Sequence, residues 1–271
     1  MSWKLKQMVR EMIVWTSNDR TPLYDLFASH ELVGTMLMPW IRMGLGTIHV
    51  DSMSTPRVGL FTISIMNFIA GDSQSYEAIH VIRDFPSLNM LFVPDRSWAT
   101  LVRSTWGDKT KVQQRTRMDA SYLDIKQLEC LKESLSSEYS LERIDINTLQ
   151  NADPSMLETL NLFFESFDEY LEQGFGYCIR HEGKIVSMAY SCFPFEKDFE
   201  IQVNTINSER YRKRGLATIV CAALIEHGLK LGYVPQWDAA NPVSVKLALK
   251  LGYTNPKPYD VFFWIESPQQ K

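Results

Sequence analysis

A chain of 271 residues, 45% of them apolar, can bury a core in one large domain or two modest ones, so disorder is not the starting assumption. Its formal charge of -4 and pI near 5.8 exclude a bulk attraction to nucleic acid or an anionic membrane, and any anion site has to be a local cluster of basic groups. The cysteines, Cys130, Cys178, Cys192 and Cys221, form no CxxC pair and lie in apolar segments, which predicts reduced, packed thiols in a cytoplasmic protein. The opening Met1-Ser2-Trp3-Lys4-Leu5-Lys6 leads into charged residues, and no apolar stretch approaches membrane-spanning length, so the expectation is a soluble intracellular chain.

Helical spacing of Leu23, Leu26 and Phe27 comes first, followed by β-rich runs at 47–50 and 58–65. A short apolar run at 90–93 ends at Pro94, Ser97 suits an N-cap ahead of Trp98, Leu101 and Val102, and Gly107 would stop that helix. The aromatic and methionine residues of this half, among them Trp15, Trp40, Phe61 and Phe68, read as core. From 121 to 153 the chain turns polar, with a helix through Ile125, Leu128 and Leu131 and a short strand at 141–144. The change places a boundary near 136–140, giving a smaller α/β domain over 1–137 and a second domain over 138–271.

The second half is clearer. Runs at 175–180 and 185–192 flank His181-Glu182-Gly183-Lys184, a hairpin turn whose glycine can take a positive φ. A strand follows at 199–206, then a helix at 215–231 ended by Gly232, with Leu216, Ile219, Val220, Ala223, Leu224 and His227 on one face. His227 on that face reads as a satisfied core residue. A strand at 234–238, a helix opened by Asn241-Pro242 and closed by Gly252, and a strand at 259–265 complete the chain. This order predicts an α/β class with a mixed central sheet flanked by helices.

Between the third of these strands and its helix stands Arg212-Lys213-Arg214-Gly215-Leu216-Ala217. A helix N-terminus already carries about +0.5 charge, so three cations beside it repel unless an anion is supplied. Gly215 and Ala217 leave room for backbone amides to cradle phosphate oxygens; the plainer alternative is a solvated basic turn.

The segment fits the Arg/Gln-x-x-Gly-x-Gly/Ala signature, and Trp237-Asp238-Ala239-Ala240-Asn241-Pro242, Ser244 and Leu247-Ala248-Leu249-Lys250-Leu251-Gly252-Tyr253 fit a second. With Gly174-Phe175-Gly176-Tyr177 and its hairpin, the chain resembles the GNAT acetyltransferases, and within them the branch that includes zwittermicin A resistance acetyltransferases. The resemblance is strong over 165–259. The first half has an element order that permits the same fold but carries neither signature.

The resemblance implies an N-acetyltransferase with acetyl-CoA as cosubstrate, no metal, and a small amine-bearing acceptor such as a metabolite or antibiotic. It implies that Val203, Asn204 and Thr205 meet the pantetheine arm, that Arg212, Lys213, Arg214, Gly215, Leu216 and Ala217 wrap the diphosphate, and that Asn241 and Ser244 lie on the cofactor side. Asn241 also suits a helix N-cap, and Trp237 reads as packing. In this chemistry a neutral amine attacks a thioester, so the amine must lose a proton and the thiolate gain one. Glu200 stands where relatives keep a base, although alternation with Ile201 also suits an exposed edge residue. Ala248 occupies the usual tyrosine position, leaving Tyr253, Tyr190 or water as proton donor. No histidine has metal-ligand spacing, and hydrolase, P-loop and dinucleotide motifs are missing. A rival reading is a non-catalytic CoA-binding sensor or interaction module.

Overall fold

The computed structural model describes residues 12–195 and 197–265; the opening Met1 to Lys6 lies outside them. The chain forms two compact units, one of Met1–Arg115 with Pro258–Lys271 and one of Thr116–Lys257, so the expected boundary at 137/138 falls inside the second.

The first unit begins with β1 (Ile13–Val14), α1 (Thr21–Phe27), α2 (Gly34–Met43), β2 (Thr47–Val50), β3 (Val58–Ile63) and β4 (Met66–Gly71). The run expected at 58–65 is thus the first arm of a hairpin whose turn holds Ser64 at φ 52°. Then come α3 (Tyr76–Arg83), β5 (Met90–Phe92), α4 (Arg96–Trp106) and β6 (Thr110–Asp119). Asp95, not Ser97, caps α4: its carboxylate accepts from the Ser97 and Trp98 amides, a stronger acceptor placed two residues earlier. Gly107 ends that helix. Strands β1 to β4 pair antiparallel in succession, β4 pairs parallel with β5, and a late strand, β12 (Thr254–Trp264), pairs antiparallel with β5. The apolar face of α4, Trp98, Val102 and Trp106, packs with Leu60, Ile69, Val81, Ile82, Leu91 and Phe262.

The second unit continues through α5 (Ile125–Glu133), β7 (Tyr139–Arg143), α6 (Ile146–Asn151), α7 (Pro154–Phe163), α8 (Phe167–Gln173), β8 (Gly176–His181), β9 (Lys184–Phe195), β10 (Asp198–Thr205), α9 (Leu216–Lys230), β11 (Val234–Ala239) and α10 (Pro242–Leu251). Strands β7 to β10 pair antiparallel in succession, β10 pairs parallel with β11, and β11 pairs antiparallel with the second half of β6. Helix α9 is buried almost all round, because the sheet takes one face while α5, through Leu128, covers another. Its Glu226 carboxylate is neutralised there by Lys132 and by Lys230 at 2.5 Å. Helices α6 to α8 pack on the opposite face of the sheet, where Met156, Leu157, Leu160 and Tyr170 meet Cys178, Met188 and Tyr190.

The two units share one topology. Each has four antiparallel strands, a helix, a parallel fifth strand, a second helix, and a sixth strand antiparallel to the fifth. The sixth strands are exchanged along the chain: β6 follows the helices of the first unit and pairs with β11, whereas β12 follows those of the second and pairs with β5. In the first unit the register shared by β4 and β5 ends at Phe68 and Phe92. Beyond it the β4 carbonyls on the β5 side are taken by side chains, Ile69 by His30 Nε2 at 2.8 Å and Gly71 by Trp98 Nε1 at 2.9 Å.

Candidate active site

Strands β10 and β11 share register only at Asp198 with Val234, Phe199 with Pro235 and Glu200 with Gln236. Past that point β10 stays with β9 as far as Thr205, while Trp237, Asp238 and Ala239 of β11 pair with β6. Two parallel strands therefore part after Glu200, next to Pro235, which has no N–H for the ladder. The Ile206 amide donates to the Val186 carbonyl, so alternation along β10 sends the backbone groups of Ile201, Val203 and Thr205 toward the open side. No side chain among the described residues takes those carbonyls. Asn204 faces otherwise: its carbonyl accepts from Ser187 Oγ and its side-chain amide donates to the Met156 carbonyl.

The loop 206–214 leads from β10 into α9. Gly215 sits at the helix cap with φ 80°, and Lys213 is left-handed at φ 58°, a strain of about 1 kcal/mol that marks an imposed backbone shape. The amides of Leu216, Ala217 and Thr218 have no acceptor within the helix, and a Cβ at Gly215 would meet open space. Arg212, Lys213 and Arg214 are exposed and form no ion pair among the described residues. Ser208 Oγ is buried there with no hydrogen-bond partner among them either. The loop is tied to the β8–β9 hairpin by Tyr211, whose hydroxyl lies 3.2 Å from His181 Nδ1, and by an ion pair of Arg210 with Glu182 at 2.9 Å. Open strand edge, amide-rich helix start and free cations together fit an extended ligand ending in a diphosphate.

Glu200 is not an edge residue. It is 7% exposed on a strand paired on both sides, and its carboxylate is ion-paired with Arg117 of β6. Arg117 Nη2 also donates to Gln236 Oε1 at 2.7 Å, and Gln236 Nε2 to Asp198 at 2.8 Å, a polar row on the sheet face away from α9. Sequence reasoning missed Arg117, Gln236 and Ser208. Strand β6 has only Arg117 and Met118 buried, so no apolar alternation announces it.

Asn241 does cap α10, its side-chain oxygen accepting from the Val243 and Ser244 amides, and Ser244 Oγ receives the indole N–H of buried Trp237 at 3.1 Å. Ala248 is fully buried in α10. The Tyr253 hydroxyl donates to the Pro235 carbonyl at 3.0 Å and that of Tyr190 to the Met156 carbonyl at 3.2 Å. Burial pushes both phenols well above their ordinary range, so neither is poised to release a proton. His227, half-buried, meets the Tyr177 hydroxyl at 3.1 Å through Nδ1. Cys178, Cys192 and Cys221 are buried, but Cys130 is exposed on α5, where an apolar residue type sits on the polar face. Among the described residues no group of three or more His, Cys, Asp or Glu side chains is placed to hold a metal, and no helix is long and apolar enough to cross a membrane.

A family model described as GNAT acetyltransferase matches residues 25–262. A Bacillus subtilis (strain 168) protein called uncharacterized N-acetyltransferase YdfB is 24% identical over 228 residues, 80% of this chain and 85% of its own length. A GCN5-related N-acetyltransferase-like protein from Streptococcus suis 89/1591 matches with a TM-score of 0.74 and 27% identity, covering 86% of this chain and 96% of that one. A tandem GNAT protein from the clavulanic acid biosynthesis pathway shares the fold alone, at a TM-score of 0.54 and 11% identity over 93% of this chain and 97% of its own.

Proposed function

The chain belongs to the GNAT acetyltransferase family, and on that premise we propose that its second unit transfers an acetyl group from acetyl-CoA to a primary amine. The observation that carries the reading is the parting of β10 from β11 directly ahead of the Arg212 to Ala217 loop. The open backbone edge at Val203 and Thr205 suits the amides of a pantetheine arm, which need both donors and acceptors. Asn204 holds the strand in place from its other side through Met156. The first-turn amides of α9, the Ser208 hydroxyl and the cations of Arg212, Lys213 and Arg214 suit the diphosphate. Asn241 and Ser244 act by fixing the start of α10 and the Trp237 ring beside it.

When bound, acetyl-CoA supplies the activated thioester. Glu200 is the chain's carboxylate at the fork of the strands, oriented by Arg117, and it receives the amine's proton directly or through water. With Ala248 apolar and both tyrosines committed, the departing sulfur relies on its own acidity, about pKa 8.5 for a thiol. The acceptor class is a small amine-bearing metabolite or antibiotic, as the resemblance to the zwittermicin A resistance branch suggests. Free thiols suit a reducing, cytoplasmic setting.

Calorimetric titration with acetyl-CoA tests this, together with an amine screen for released CoA thiol. Arg212→Ala/Arg214→Ala should weaken binding about tenfold or more, since two charge-assisted contacts to phosphate are lost. No binding by the unaltered protein would sink the cofactor site. Binding without thiol release on any amine would favour a CoA-binding sensor, the reading that Ala248 supports.

A further inference from the structure

The first unit contains a cavity of about 760 Å³ formed by the α1–α2 turn, the end of β5, the first turn of α4 and strand β12. Its size is that of a small-molecule site. His30, from the turn, lines it while plugging the parted strands: Nε2 faces the Ile69 carbonyl, so Nε2 must carry the proton. Burial lowers the imidazole to about 4, so the ring is neutral and Nδ1 is a lone-pair acceptor. The residue is 3% exposed and lines the cavity; with Nε2 held at the Ile69 carbonyl, Nδ1 is the ring nitrogen with no hydrogen-bond partner among the described residues. Phe92, Tyr259 and Phe262 supply apolar wall, and the carboxylates of Glu31, Asp95 and Asp260 outnumber the cation of Arg96. Asp260 is itself paired with Arg103 at 3.1 Å.

We propose that this cavity binds a small organic amine, whose N–H is received by His30 Nδ1 and whose apolar body lies against Phe92, Tyr259 and Phe262. An acceptor-only nitrogen offers nothing to a carboxylate ligand and binds a donor. The site is separate from acetyl transfer: its own unit has the strand edge closed by His30 and Trp98, and the loop from β4 to α3 carries Asp72 in place of a basic cluster. It stands or falls without acetyl-CoA.

Benzylammonium is a suitable probe, titrated into the full chain by calorimetry and saturation-transfer NMR. A ligand of this size is expected to bind at one site with Kd of about 1 mM. Benzyl alcohol, a donor without charge, should bind more weakly, and benzyltrimethylammonium, a charge without a donor, more weakly still. Asp95→Asn, which keeps a capping side chain for α4, should weaken benzylammonium about threefold or more by removing a nearby carboxylate. Tyr259→Ala should abolish saturation by removing apolar wall. No saturable binding up to about 10 mM, tenfold above the expected Kd, would overturn the proposal. So would benzyltrimethylammonium binding as tightly as benzylammonium, or binding unchanged in both variants.

Discussion

The imidazole of His30 links the fold of the first unit to pH. Burial lowers its pKa from 6.5 to about 4, outweighing the bond to the Ile69 carbonyl and the charge of Asp95, both of which favour protonation. Between those values the unfolded chain binds a proton that the folded chain does not, so the contribution is complete above about pH 6.5 and is lost as pH falls toward 4. The loss amounts to about 3 kcal/mol at most. His30→Gln keeps an N–H for the Ile69 carbonyl and removes the titration. Urea midpoints at pH 7 and pH 4.5 should therefore differ less in this variant than in the unaltered protein, and an equal difference would show that the acid sensitivity arises elsewhere.

Strand β10 holds both halves of the proposed site on opposite sides of its backbone. Its Ile201 and Val203 side chains join the core under α9, while Glu200 is held on the other face by Arg117 and Asn204 by the Met156 carbonyl of α7. If Glu200 takes the amine's proton, Glu200→Gln should lower kcat by about a hundredfold or more with acetyl-CoA affinity unchanged. Unchanged turnover would make the Glu200–Arg117 pair a tie between β10 and β6. The alternation Phe199, Ile201, Val203 was legible as a strand with one buried face. That its polar face is also covered was not, because α6, α7 and α8 were not read from the sequence. Their start signals were present: Asp145, Asp153 ahead of Pro154, and Ser166 each cap their helix.

Across the whole molecule, the exchanged sixth strands make the first unit depend on residues at the far end of the chain. Phe262 of β12 is fully buried in its core, and the Trp264 indole donates to the Phe85 carbonyl at 2.7 Å. Ending the chain after Tyr253 removes β12, leaves the β5 edge unpaired, and forfeits burial of Phe262, alone about 3–5 kcal/mol. Limited proteolysis of that truncated chain should cut preferentially within 12–115. Resistance of 12–115 equal to that of the full chain would show that β12 is dispensable.

Turns, caps and signatures were readable along the sequence because each acts within a few residues. Gly183 at the hairpin, the Asn241-Pro242 start of α10 and the glycine of the Arg212 to Ala217 segment declare their local backbone regardless of the rest of the chain. The tertiary structure alone decided that β10 and β11 part after Glu200, that Arg117 lies against a carboxylate 83 residues away, and that His30 and Trp98 close the equivalent edge in the first unit. It also decided that the last strand, expected in the second domain, belongs to the sheet of the first. These are pairings between distant segments, and no periodicity within either partner encodes which other segment will satisfy its hydrogen bonds or cover its face.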